Sequence, residues 1–145
     1  MPTIAEVMTP DVEVIGPNQS LQRAAKMMDE LNVGALPVCD GRRLVGMITD
    51  SDITVRATAA GLDPQETPVS DVMTDHMRWC TEEQSTEEVM KQMGDVQIRR
   101  LPVLNDKRQI VGIVSLGDLA VRQGGHIDDV LREVSQPSQP DRPAA

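Results

Sequence analysis

The chain is a duplication. Residues 7–56 recur at 72–122, and each copy carries an apolar run into Gly-x-x-Thr/Ser-x-x-Asp, as Gly46/Thr49/Asp52 and Gly112/Ser115/Asp118. Shifting 7–41 by 65 positions and 44–56 by 66 gives 15 identities in 48 aligned pairs, where chance leaves about three. They fall on Val7-Met8-Thr9 and Val72-Met73-Thr74, on Gln19-Ser20 and Gln84-Ser85, on Leu36-Pro37-Val38 and Leu101-Pro102-Val103, and on the closing motif. A copy of about 60 residues buries too little surface to stand comfortably alone, so the copies are expected to share one core.

That core has no Phe or Tyr and a single Trp, so aliphatic residues and nine Met must fill it. Nothing in that composition suggests a base-stacking surface for nucleic acid, and a net charge of −9 disfavours approach to a phosphate backbone, so no nucleic-acid partner is expected. Cys39 and Cys80 occupy non-equivalent places in the copies and lack C-x-x-C spacing, which predicts buried thiols and a reducing cytoplasm. No basic and apolar leader opens the chain and no run approaches a membrane span, so a soluble, cytoplasmic protein is expected.

Each copy begins with an apolar-x-x-Val-Met-Thr run, Ile4–Thr9 and Val69–Thr74, then a short strand candidate, Val12–Ile15 and Met77–Cys80. Ser20 precedes Leu21, Ala24, Ala25, Met28 and Leu31 at helical spacing, and Ser85 with Glu88 forms a capping-box pattern ahead of Val89, Met90, Met93 and Val96. A hairpin follows in each copy, 35–39 with 44–49 and 100–104 with 110–115. Then comes a helix running from near Asp50 or Leu116 toward Ala60 or Gln123, with Gly61 and Gly124 placed to stop it. The fold class is therefore α/β, two β-α-β-β-α repeats. The expected organisation is repeat one at 1–61, a polar linker at 62–68, repeat two at 69–124, a helix at 125–134 and a disordered tail at 135–145.

The repeated motif lies where a strand passes into a helix, and unpaired N–H groups and the helix dipole favour anions there. Thr49 or Ser115 adds a hydroxyl suited to a phosphate oxygen. Asp52 or Asp118 offers two acceptor oxygens, a match to the neighbouring hydroxyls of a ribose. As a structural alternative, Asp52 with Arg56 and Asp118 with Arg122 are also i, i+4 pairs on a helix. Arg99 and Arg100 fit either phosphate binding or a solvated strand edge. Arg42, Arg43, Lys107 and Arg108 sit in hairpin loops and are expected to be solvated. The methionines at 27, 28, 90 and 93 have helical core spacing, and His76 and His126 belong to no metal-ligand spacing. No nucleophile elbow or acid–base signature supports an enzyme.

The doubled Val-Met-Thr, the Leu-Pro-Val strand and the doubled Gly-x-x-Thr/Ser-x-x-Asp together resemble a tandem pair of CBS (cystathionine beta-synthase) domains, a Bateman module, over residues 3–123. That resemblance implies repeats related by a pseudo-twofold axis and packed through their sheets, adenine nucleotides in two clefts between them, and homodimers. Carried over residue by residue, it assigns one cleft to Thr9, Val14, Val33, Gly34, Arg99, Arg100, Ser115, Gly117 and Asp118. Asp118 holds ribose, Ser115 and the arginines hold phosphates, and Val14 and Val33 face adenine. The second cleft takes Ala35, Thr49, Ser51, Asp52, Thr74, Trp79 and Ile98, with Arg99 also near it. Ala35 stands where the other copy has Arg100, and Trp79 replaces Val14, either stacking on a base or filling the pocket. The Asp118 cleft is thus expected to be the principal site. The resulting expectation is a regulatory sensor of AMP, ADP or ATP that acts through an unidentified effector protein, with no obligatory cofactor and no metal. The rival reading is a structural dimerisation scaffold with plugged clefts.

Overall fold

The computed structural model describes residues 2–96 and 98–120, so the expected helix at 125–134, the tail, Gly124 and Arg122 lie outside the described residues. The described residues divide into two compact units, and the division does not follow the copies: residues up to Val12 join those from Arg78 to Ala120, while Glu13–Met77 form the other unit. Each copy has given its opening segment to the other.

In the first unit, α1 (Ile4–Val7) leads into β1 (Thr9–Pro10). β4 (Cys80–Thr81), α4 (Thr86–Val96), β5 (Arg100–Leu104), β6 (Ile110–Ser115) and α5 (Leu116–Ala120) complete it. Its sheet order is β1-β6-β5-β4, with Thr9 opposite Ile113, Arg100 opposite Ser115 and Cys80 parallel to Val103. Side chains alternate across the sheet. Leu101, Val103 and Val114 therefore join Val89, Met90 and Met93 of α4 and Leu116 and Leu119 of α5 in one buried cluster, while Arg100 and Ser115 point the other way.

The second unit repeats the plan. α2 (Leu21–Leu31), β2 (Ala35–Asp40) and β3 (Arg43–Thr49) surround a cluster of Ile15, Leu21, Ala24, Met27, Met28, Leu36, Val38, Ile48, Ala57, Val69 and Val72. Thr74 bridges to Met47 on one side of the hairpin and Ile15 bridges to Val38 on the other, which gives the same strand order with single bridges in place of β1 and β4. Two buried clusters correct the expectation of one shared core, but each is assembled from both copies, so neither copy closes a core by itself.

The docking of the exchanged segments is duplicated too. Ile4 N–H donates to Gln84 O at 2.9 Å, and Val69 N–H, 65 positions later, donates to Gln19 O at 2.8 Å. Ala5 to Glu82 O and Ser70 to Pro17 O, both 3.0 Å, form the next pair. The stretch 62–68 is built into the second unit. Thr67 O and Pro64 O accept from the Leu21 and Gln22 N–H groups at 3.0 Å each, satisfying donors at the start of α2 that have no partner within the helix.

Local expectations hold at the helix starts, where the Ser20 and Ser85 hydroxyls accept from Arg23 and Glu88 N–H. Two shift. The strand at Val12–Ile15 shrinks to the Ile15 bridge, because Gly16-Pro17 turns the chain away at once, and that at Met77–Cys80 moves to Cys80–Thr81. The helix expected over 50–60 starts as α3 (Asp50–Asp52) and widens to π turns over Ile53–Thr58, with Ala59 N–H donating to Thr54 O and Leu62 N–H to Ala57 O. The β-branched run Ile53-Thr54-Val55 is crowded in an α turn, and the wider winding keeps Ala57 buried while Arg56 reaches the chain at Val72 and Met73. Gly61 closes it at φ +75.

Candidate functional site

The repeated motif performs two tasks in the fold before any ligand is considered. Its glycine is a notch: a Cβ on Gly112 would lie 2.7 Å from both Met8 Sδ and Thr9 O, and one on Gly46 would lie 2.6 Å from Met73 Sδ and 2.9 Å from Thr74 O. Only glycine admits the exchanged Met-Thr segment so closely. The remaining residues form a capping box. Thr49 N–H donates to Asp52 Oδ2 and Asp52 N–H to Thr49 Oγ1, each at 3.0 Å, and Ser115 N–H donates to Asp118 Oδ2 at 2.8 Å with Asp118 N–H to Ser115 Oγ at 3.1 Å. One carboxylate oxygen of each Asp is thereby committed to the backbone.

The copies differ in what remains. Asp118 is half-buried, and its second oxygen has no hydrogen-bond partner among the described residues. Arg100 lies across the β5–β6 pair from Ser115, with side chains on one face of the sheet, and Thr9 lies on that face opposite Ile113, two residues back. Arg99 and Arg100 are exposed, and Arg99 O accepts from Leu116 N–H at 2.7 Å, tying the arginines to the start of α5, where Gly117 is exposed. The first unit thus brings Thr9, Arg100, Ser115 and Asp118 to one corner, a guanidinium, two hydroxyls and a carboxylate, with exposed Arg99 and Gly117 beside them along the chain. Val14, Val33 and Gly34, assigned to the same cleft, belong to the second unit, where Val33 is exposed.

At the equivalent corner of the second unit, Asp52 is 3% exposed. Its Oδ1 faces Arg56 Nε at 3.7 Å, and Arg56 Nη1 donates to Val72 O at 3.2 Å and Thr74 Oγ1 at 3.3 Å. Asp52 and Thr74 are bound to the protein's own guanidinium. Ala35 stands opposite Thr49 where Arg100 stands opposite Ser115, and exposed Asp50, beside Gly34, accepts from Ser51 N–H at 2.8 Å. Two carboxylates and one committed arginine make this corner poor ground for an anion.

Trp79 and Ile98, assigned to the second cleft, belong to the first unit. Trp79 is 37% exposed, its carbonyl accepts from Gln92 Nε2 at 3.2 Å, and the guanidinium carbon of Arg108 lies 5.5 Å from its ring centroid. Arg108, expected to be merely solvated, is thus a cation–π partner. Among the described residues no group of three or more His, Cys, Asp or Glu is placed to hold a metal ion, and no helix is long and apolar enough to cross a membrane.

Cys39 and Cys80 are free and buried, and burial pushes their thiols up from 9.0 to about 11 and about 12. The folded values exceed the unfolded ones, so the associated stability is complete below pH 9 and is lost as pH rises through 11 to 12. At neutral pH neither thiol is expected to react with maleimide in the native protein, whereas both react in denaturant. Mass spectrometry after timed labelling reads this out, and rapid native labelling would contradict the burial.

The conserved layout of the two units prepares the comparison with known proteins. A family model described as the CBS domain matches residues 4–57 and again residues 69–124. The CBS domain-containing protein YhcV of Bacillus subtilis is 46% identical over 123 residues, covering 85% of this chain and 86% of that protein. A crystal structure of Hypoxic Response Protein I with two coordinated zinc ions is 36% identical, with a TM-score of 0.75 over 83% of this chain and 98% of that one. CBSX2 in complex with AMP is 26% identical at TM-score 0.72, covering 88% of this chain and 99% of that one. The CBS domain pair of MJ0100 with 5-methylthioadenosine and S-adenosyl-L-methionine is 28% identical at 0.73, covering 86% and 98%. Matches to both copies, on a chain whose two units share one plan and the same docking bonds, place this protein in the CBS-domain family as a tandem pair.

Proposed function

We propose that this protein is a non-catalytic regulatory module that binds a phosphorylated adenine nucleoside of the AMP, ADP or ATP type at the Asp118 corner and passes the signal to a partner protein. The observation that carries the reading is the contrast between corners: exposed Arg100 faces Ser115 beside a half-buried Asp118, whereas Ala35 faces Thr49 and the matching Asp52 is buried. Ribose falls to Asp118, phosphates to Arg99, Arg100 and Ser115, with Thr9 adjacent. Val14, Val33 and Gly34 take the base, a part that rests on the family resemblance. Relatives of the same fold have been crystallised with AMP and with adenosyl sulfur compounds, which supports the adenosyl class. Cytoplasmic residence, homodimerisation and an effector chain complete the proposal, since a ligand shifts only an equilibrium whose states it binds unequally. The scaffold reading is retained for the Asp52 corner alone, where Thr49, Ser51, Asp52 and Thr74 serve the fold.

Titration calorimetry with AMP, ADP, ATP and S-adenosylmethionine tests this. Asp118→Asn keeps a carbonyl oxygen for the cap but removes the charge that grips the diol, and is expected to weaken nucleotide binding about 10- to 100-fold. Asp52→Asn, first shown by melting to be folded, is expected to bind within about threefold of the parent. Absence of binding by the parent, or greater loss from Asp52→Asn, overturns the assignment.

A further inference from the structure

We propose that Met8 and Met73 are the methionines whose oxidation weakens the fold, because sulfoxide formation there undocks the exchanged opening segments. Two geometrically equivalent notches carry the inference. Met8 Sδ lies 2.7 Å from where a Cβ of Gly112 would fall, and Met73 Sδ lies 2.6 Å from where a Cβ of Gly46 would fall, so each thioether packs closely against a glycine of the strand. Both side chains are half-buried at the rim of a core cluster. Met27, Met28, Met47, Met90 and Met93 are buried within the units, so solvent peroxide reaches positions 8 and 73 before these five. Met77, half-exposed but in neither notch, serves as an internal comparison.

The chemistry balances with a hydroperoxide as oxidant. A sulfur lone pair attacks the distal peroxide oxygen, the O–O bond breaks, an S–O bond forms, and peroxide leaves as water or alcohol while sulfur is oxidised by two electrons. The product is larger and strongly polar, and it is disfavoured against the apolar rim of the core, where the carbonyl oxygen of Thr9 or Thr74 also lines the notch and repels a sulfoxide oxygen. The segment must move outward. Thr9 N and O belong to the strand that follows Met8, and Thr74 exchanges bonds of 2.8 and 2.9 Å with Met47, so oxidation frees one strand from each sheet. At the first unit this also removes Thr9 from the Asp118 corner, a consequence that rests on the function proposed above.

The test is graded hydrogen peroxide treatment of the full chain, with peptide mapping and thermal melting at each dose. Sulfoxide is expected at 8 and 73 before 27, 28, 47, 90 and 93, with a fall in melting temperature that tracks those two sites. Methionine sulfoxide reductase should restore the original melt. Met8→Leu/Met73→Leu, a near-isosteric pair, is expected to melt within a few degrees of the parent and to keep that melt after peroxide, although Met77 is oxidised. Oxidation of buried methionines ahead of 8 and 73, or an unchanged melt with both fully oxidised, overturns the proposal. Nucleotide titration of the oxidised protein forms a separate arm: if the untreated protein binds none, the ligand assignment fails while mapping and melting still decide this one.

Discussion

Alanine at position 112 is expected to destabilise the protein by about 2–3 kcal/mol, and alanine at position 46 by a similar amount, the size of an overpacked core. The added methyl meets more than the flexible end of a methionine. It falls 2.7 Å from the carbonyl oxygen of Thr9 in one case and 2.9 Å from that of Thr74 in the other, and a backbone carbonyl in a paired strand cannot swing aside. The exchanged strand must separate from its hairpin or the hairpin must bend. Either route loses the bonds between Thr9–Pro10 and Gly112–Ile113, or between Thr74 and Met47. Urea unfolding of Gly112→Ala, Gly46→Ala and the neutral comparison Gly41→Asn measures this, since Gly41 lies at φ +66 with nothing within 4 Å of its Cβ position. Near-parental stability for the first two would mean that the segments are not seated in the notches.

Asp52→Ala is expected to cost about 2–3 kcal/mol against about 1 kcal/mol for Asp118→Ala. Both lose the acceptor of a capping box. Asp52 is the more deeply buried of the two and faces an arginine that also ties down Val72, Met73 and Thr74, so its removal strands Arg56 and loosens the docked segment of the second copy. The ion pair itself is discounted, because Arg56 is 40% exposed at the surface. Nucleotide affinity should follow the opposite order, with Asp118→Ala losing more. Equal stability losses would show that the two copies of the motif are equivalent in the fold.

The sequence carried much of this. Ser20 and Ser85 announced two helices, and Leu-Pro-Val followed by Val-Gly announced two hairpins, because caps and alternating burial are local signals. The partner of each Val-Met-Thr segment was not local. A duplicated sequence offers every segment two equivalent docking grooves, and periodicity cannot say which copy receives it. The motif was read chiefly as ligand chemistry, with its Asp and Arg weighed as a helix pair. Yet Thr49-x-x-Asp52 and Ser115-x-x-Asp118 are capping-box patterns of the same kind as Ser85-x-x-Glu88, and that rule would have disclosed their structural role. The contrast between a committed Asp52 and a half-open Asp118 was partly visible in Ala35 and Arg100. The engagement of Thr74 by Arg56 joins residues 18 positions apart, which no local pattern announces.

Crossed opening segments also order events at the ribosome. The Gly46 hairpin cannot gain its edge strand until Thr74 has emerged, and Ile4–Thr9 waits for Glu82 and Gln84 and then for Ile113 before its docking is complete. A break between the copies would therefore take one strand from each sheet and leave neither whole, so the ancestral duplication, once interlocked, resists being undone by loss of either half.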